Sequence, residues 1–274
     1  TIKGTDLENL DMDNTQKVSS NIRELEELNN AFNKMRTKLK ESMENLLIAK
    51  QKEMEARTLA LQSQINPHFL YNTLETIRMK AFKAGDRDVA TAIKMLGKVM
   101  RYVLENTGTS STTLKNELDY IETYLQIQKL RFTDKINYSL IVEEGLNTEE
   151  QDILPLLIQP IVENAIFHGI EKKLDKGHIA IHIEAGEKHV ILYVEDDGVG
   201  MDRETLLKLQ EKLSSAPQEA QWVEKKQGDG VAMQNVNNRL KLLYGEEFGL
   251  TVSSTPGIGT EVRLVIPLII REEK

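Results

Sequence analysis

The sequence predicts an α+β protein in which long helices precede an α/β sandwich. Apolar residues in the first half recur at spacings of three and four, and those in the second half alternate within short runs bounded by turn residues. The change of pattern falls near Phe132. At 274 residues, 40% of them hydrophobic, the chain is long enough for one large domain or two ordinary ones with a real core.

From Ile22 onward, Leu25, Leu28, Phe32, Met35 and Leu39 form a narrow apolar seam between charged residues. A seam of that width suits a partner helix better than a globular core. Met43 and Leu46 continue it after one extra step of four, which implies a local change of supercoil. Leu46 to Gln64 stays helix-favouring with fewer apolar residues and reads equally as a connecting helix or as a plain solvated one. Asn66-Pro67 then interrupts, because proline removes a backbone donor and disfavours helix for the residue before it.

His68 to Lys83 and Asp88 to Leu104 read as two amphipathic helices joined by Ala84-Gly85-Asp86, short enough for an antiparallel hairpin. A loop at Gly108 to Thr113 leads to a third helix, Leu114 to Arg131. Beyond it, Ile136 to Val142 is expected as a strand and Leu154 to His168 as a buried helix. Strands Ile179 to Glu184 and Val190 to Val194 follow, then helix Asp202 to Leu213. Ser214 to Gly230 has no periodicity and reads as a long loop. Helix Met233 to Tyr244 and strands Leu250 to Ser254 and Glu261 to Ile266 close the chain.

The absence of cysteine excludes disulfides, Cys-ligated zinc and thiol catalysis, and fits a reducing compartment. A formal net charge of -8 with 5% aromatic residues argues against nucleic acid as a partner, since phosphate neutralisation needs clustered Lys and Arg. No apolar run approaches the roughly 20 residues a helix needs to cross a bilayer, so no membrane contact is expected of this segment. The start at Thr1, without an initiator Met, is expected of a piece of a longer protein.

Three segments carry chemistry. In Val194-Glu195-Asp196-Asp197-Gly198-Val199-Gly200 a strand ends in two glycines that let the backbone approach a ligand, and the Asp196 carboxylate can accept a hydrogen bond from an exocyclic amine such as adenine's. Taken alone, this segment reads more readily as an ordinary Asp-Gly turn, since short glycine motifs occur often by chance. Gly228-Asp229-Gly230-Val231-Ala232-Met233-Gln234-Asn235 places small residues before a helix start, where free N–H groups favour phosphate. Pro160 to Gly169 is an apolar helix bearing Glu163, Asn164 and His168, and buried helices seldom carry such groups unless they are satisfied or used. The Asn164 amide oxygen can ligate Mg²⁺ beside substrate phosphates. His168 alone reads as a histidine that caps helix-end carbonyls.

The order of Asn164, then Asp196-x-Gly198-x-Gly200, then the Gly228 to Gly230 loop resembles the N, G1 and G2 boxes of the GHKL ATP-binding superfamily, which includes gyrase, Hsp90, MutL and the histidine kinases. The resemblance implies a Bergerat-type sandwich that binds ATP and Mg²⁺ beneath a lid, with Asn164, His168, Asp196, Gly198, Gly200, Gly228, Gly230 and Asn235 at the nucleotide and Asn164 on the metal. Gln64-Ile65-Asn66-Pro67-His68-Phe69-Leu70-Tyr71-Asn72 resembles the phosphoacceptor motif of the LytS/YesM-type sensor histidine kinases, and Glu117 to Phe132 the helix that follows it there. Glu24 to Met35 is similar to the second helix of a HAMP relay domain.

The expected organisation is a HAMP remnant over residues 1–45, a signalling helix with a dimerisation and phosphotransfer domain over 46–132, and an ATP-binding domain over 133–274. This resemblance implies a homodimer whose helices around His68 form a four-helix bundle, ATP-dependent phosphorylation of His68, and transfer to an Asp of a response regulator. It also implies upstream transmembrane helices, making the chain the cytoplasmic segment of a bacterial inner-membrane protein. Chemically, a neutral imidazole nitrogen is a competent nucleophile at neutral pH. Asn72, one turn beyond His68, can face the same site and orient the ring or a water.

Four positions depart from the pattern. Phe69 stands where many histidine kinases place an acid after the phosphoacceptor, so the base is unassigned. Ala232 replaces the second glycine of the last box, Phe167 a basic residue that reaches phosphate, and Asp197 an Asn, which is expected to add charge near the polyanion. Ala232 and Phe167 leave room for a degenerate scaffold that binds a regulator. A GHKL ATPase without phosphohistidine is a further alternative, and it gives the Asn-Pro-His segment no role. Ser214 to Gly230, with Trp222, Lys225 and Lys226, is expected to be the lid.

Overall fold

The computed structural model describes residues 67–133, 135–215 and 231–270. The seam from Leu25 to Leu39, most of the expected lid and the Gly228 to Gly230 loop lie outside the described residues.

Helix α1 (Pro67–Lys83) begins on the proline, whose missing N–H costs nothing in a first turn. Gly85, at φ 82°, turns the chain into α2 (Arg87–Asn106), and the Asp86 side chain caps α2 by accepting from the Val89 N–H. These helices form an antiparallel hairpin, as expected. A two-residue strand β1 (Thr112–Thr113) precedes α3 (Leu114–Arg131), whose N-cap Thr113 accepts from the Asn116 N–H.

The sandwich has one five-stranded sheet. Its strands are β2 (Ile136–Val142), β4 (Gly177–Ala185), β5 (His189–Asp196), β6 (Gly249–Thr255) and β7 (Gly259–Pro267), in the order β2-β4-β5-β7-β6. β2 and β4 run parallel and the other neighbours antiparallel. Alternation sets the faces: Ile179, Ile181 and Ile183 of β4, Val190, Leu192 and Val194 of β5, and Val262, Leu264 and Ile266 of β7 are all buried.

Helices cover that face. Leu114, Ile121 and Leu125 of α3 are fully buried within the same core as Leu209 and Leu213 of α5 (Arg203–Ser214) and Val236 and Leu240 of α6 (Val231–Tyr244). Each such side chain contributes on the order of 1.5–3 kcal/mol by leaving water. Thus α3, which follows the hairpin in sequence, packs into the core of the sandwich.

The expected single helix from Leu154 to His168 is not formed. A short strand β3 (Asp152–Ile153) pairs with β1, Leu156 takes a left-handed φ of 56°, and helix α4 spans only Gln159–Asn164. A π-helical turn (Ala165–Ile170) then continues it, closed by Glu171 N–H donating to the Ile166 carbonyl at 2.8 Å. Proline explains the difference: Pro155 biases residue 154 away from helix, and Pro160 favours the first turn of a helix that starts beside it.

Candidate nucleotide and phosphoacceptor sites

A cavity of about 280 Å³ opens between α4 with its π turn, the end of β5, and helices α5 and α6. Its walls are largely apolar, from Ile161, Val194, Met201, Leu209, Met233 and Val262, with Asn164, His168, Asp196, Asp202, Thr205 and Thr260 as polar groups. An apolar slot with a few converging polar groups suits a flat heterocycle.

Asp196 is the last residue of β5 and faces this cavity. Its Oδ1 accepts from the Gly198 N–H at 2.8 Å, and the nearby Thr260 backbone amide also favours the charged form. Burial pushes its pKa up to about 6, with the Gly198 amide pulling down and the Asp197 charge pushing up. Glycine is required around it for space. A Cβ on Gly169 would lie 2.5 Å from Asp196 Oδ1, and one on Gly198 would lie 2.4 Å from the Gly169 Cα. Gly200 has φ 67° and a Cβ there would lie 2.1 Å from the Thr255 carbonyl oxygen, so the turn admits no side chain.

Asn164 lines the cavity from the end of α4, and its Nδ2 donates to the Pro160 carbonyl at 2.7 Å. That bond fixes the amide and leaves Oδ1 as the acceptor available to a cation or its water. Among the described residues no group of three or more His, Asp or Glu side chains is placed to hold a metal. This donor set fits Mg²⁺ that takes its remaining ligands from phosphate and water. His168 stands in the last turn of the helical segment, as its spacing suggests, and lines the cavity from there.

Asp197 points elsewhere. Its carboxylate meets Lys173 Nζ at 3.0 Å and the His178 N–H at 2.7 Å, and it is absent from the cavity lining. Burial would raise its pKa, but the His178 amide and the Lys173 ammonium outweigh that and hold it below the usual carboxylate range. The expected extra charge on the nucleotide is therefore already paired. Phe167 contacts Phe132 at 6.5 Å between ring centroids, and the Arg131 guanidinium lies 5.6 Å from the Phe167 ring centroid.

Asn235, on α6, is exposed and outside the cavity lining. Gly169, Thr260 and Lys172 border the cavity without having been assigned from sequence. Gly169 ends the Pro160 to Gly169 segment, and Thr260 follows the Gly257-x-Gly259 turn, which were the available signals.

His68 is exposed in the first turn of α1. The Asn72 Nδ2 lies 3.2 Å from its Nδ1 and 3.3 Å from its Nε2, so the expected approach of these two side chains is present.

Residues 56–136 match the histidine kinase family model, and residues 149–270 match the model described as histidine kinase-, DNA gyrase B-, and HSP90-like ATPase. The chain is 32% identical over 223 residues to the sensor protein LytS of Bacillus anthracis, covering 80% of this chain and 35% of that protein. It is 31% identical over 230 residues to the sensor histidine kinase YesM of Bacillus subtilis, covering 84% of this chain and 36% of the relative. The chain thus spans about a third of the length of these curated relatives. The solved histidine kinase domain of the blue-light activated kinase EL346 from Erythrobacter litoralis aligns with 79% of this chain and 93% of its own, at 15% identity and a TM-score of 0.40.

Proposed function

Because this chain belongs to the histidine kinases, with a matching helical segment and a matching ATPase segment in order, we propose that it takes phosphate from ATP onto His68 and passes it to an Asp of a response regulator. The observation that carries the reading is the exposed His68 ring with the Asn72 amide against it, in one chain with a cavity built around a part-buried carboxylate. Asp196 accepts the adenine amine, and the Gly198 amide keeps its carboxylate aimed. Asn164 holds Mg²⁺, which lowers the charge on the phosphates when bound. His168, Gly200 and the Gly228 to Gly230 loop border the nucleotide, with Asn235 on the helix beyond.

A ring nitrogen of neutral His68 attacks the γ-phosphorus. The P–N bond forms as the bond to the ADP oxygen breaks, ADP leaves with that electron pair, and the proton on the other ring nitrogen passes to solvent. Asn72 orients the ring for that attack. The protein acts as a homodimer joined through the His68 hairpin and the upstream seam, and as the cytoplasmic segment of a longer membrane-anchored sensor. Among the described residues no helix is long and apolar enough to cross a membrane. Incubation with γ-labelled ATP and Mg²⁺ should give acid-labile, base-stable label. His68→Gln should abolish it with ATP affinity nearly unchanged, and undiminished labelling in that variant rejects the assignment.

A further inference from the structure

Glu117 is fully buried, yet it belongs to neither candidate site. It sits in the first turn of α3 and accepts four hydrogen bonds. Oε1 takes the Leu157 N–H at 2.8 Å and the Ile158 N–H at 3.1 Å, while Oε2 takes the Leu156 N–H at 3.0 Å and the Tyr102 hydroxyl. A carboxylate offers acceptors only, so four converging donors describe the ionised form. Burial raises its pKa, against the pull of Tyr102 and the three amides. Arg239 supplies nearby positive charge and itself donates to the Pro155 carbonyl at 3.0 Å.

The four donors come from two sides. Tyr102 lies on α2, in the hairpin whose other helix carries His68 in its first turn, and stacks on Tyr120 with centroids 4.4 Å apart. The three amides form the turn into α4, the helix that ends at Asn164, and the turn includes Leu156 in its left-handed conformation. Such a conformation persists in a β-unbranched residue only where its surroundings hold it. Tyr120 repeats the connection, donating to Gln159 Oε1 at 2.5 Å, and Gln159 in turn donates to Glu163 beside Asn164.

We propose that Glu117 is a positioning residue that ties the phosphoacceptor hairpin, through Tyr102, to the helix presenting Asn164 to the nucleotide. This rests on the kinase reading above. Its two halves separate by substitution: Tyr102→Phe removes only the hairpin-side bond and keeps the ring stack, whereas Glu117→Gln places an N–H₂ group among N–H donors and disturbs both sides.

The test uses the whole chain and measures Mg-ATP affinity, melting temperature and the rate of His68 labelling at saturating ATP. Tyr102→Phe is expected to bind ATP within twofold of the unmodified protein and to label at least about tenfold more slowly, the effect of one hydrogen bond to a charged acceptor. Glu117→Gln should lose affinity as well as rate, and adding Tyr102→Phe to it should cost nothing further. A Tyr102→Phe rate equal to or above that of the unmodified protein overturns the proposal, as does additive loss in the double variant. Should Glu117→Gln fail to fold, the split between rate and affinity in Tyr102→Phe still decides. Failure of the unmodified chain to label at all rejects the kinase reading instead.

Discussion

Asp196→Asn should stabilise the empty protein while disabling it. The carboxyl is shifted from 3.8 to about 6, a difference of about 2 units, worth at most about 3 kcal/mol at 1.36 kcal/mol per unit. Burial favours the protonated form, so the penalty is absent below pH 3.8. It grows as pH rises and is complete above about 6, where folding must hold a buried charge. An amide never ionises and can still accept from the Gly198 N–H. Its own burial and the water at the cavity mouth reduce the gain to about 1–2 kcal/mol. At about 2–4 °C per kcal/mol for a domain of this size, calorimetry at pH 7.5 should show melting about 2–8 °C higher than the unmodified protein, with most of that gain gone at pH 4. Titration with Mg-ATP should show affinity weakened by about 2 kcal/mol or more, because the amide can present a donor to the adenine amine. A melting temperature unchanged or lowered at pH 7.5, or a gain undiminished at pH 4, refutes burial of the charge as the cause of the shift. Wild-type affinity refutes the adenine contact.

Gly198→Ala should cost about 1–3 kcal/mol of stability and most nucleotide binding, since its Cβ would lie 2.4 Å from the Gly169 backbone. Gly97→Ala, in α2 with nothing within 4 Å of the added carbon, is the thermal-melt control and should gain a few tenths of a kcal/mol to about 1 kcal/mol. Asp197→Asn removes a half-exposed ion pair with Lys173 and should change stability by less than about 1 kcal/mol and ATP affinity by less than about twofold. A larger loss of affinity would mean that Asp197 faces the nucleotide after all. Light scattering at micromolar concentration should give a dimer, and Leu28→Glu with Met35→Glu should loosen the N-terminal part without unfolding the ATP domain, as monitored by its separate melting transition.

The hairpin was legible from its apolar spacing and its Ala84-Gly85-Asp86 turn, although Ala90 is the one buried residue of its two helices. Helix α3 and the strands were legible because each buries one face, and burial of one face leaves a period in the sequence. The run Ile153-Leu154-Pro155-Leu156-Leu157-Ile158 left none, being buried on all sides except at Leu156. Its geometry depends on Glu117, whose bond to Ile158 spans 41 positions. Asp196 and its glycines were readable as a strand end followed by permissive residues. That Gly169 must also lack a side chain was not, because the atoms it spares belong to Asp196 across the core. Asp197 was misread for the related reason that neighbours along a strand end point to opposite faces, and only Lys173 and His178 show which face is which.

The parallel pairing of β2 with β4 has a mechanical consequence. The chain between them holds α4 and its π turn, so the helix bearing Asn164 is a span fixed at both abutments to adjacent strands. Tethered at both ends, it is built as a bridge and not as a hinged arm. α3 leads into β2 across a connection of a few residues, so a load drawn along α3 arrives at the near abutment, while Glu117 holds the span close to where α4 begins. A pull or twist on the hairpin would therefore meet the floor of the cavity at the span held by Glu117, with the sheet as the frame on either side.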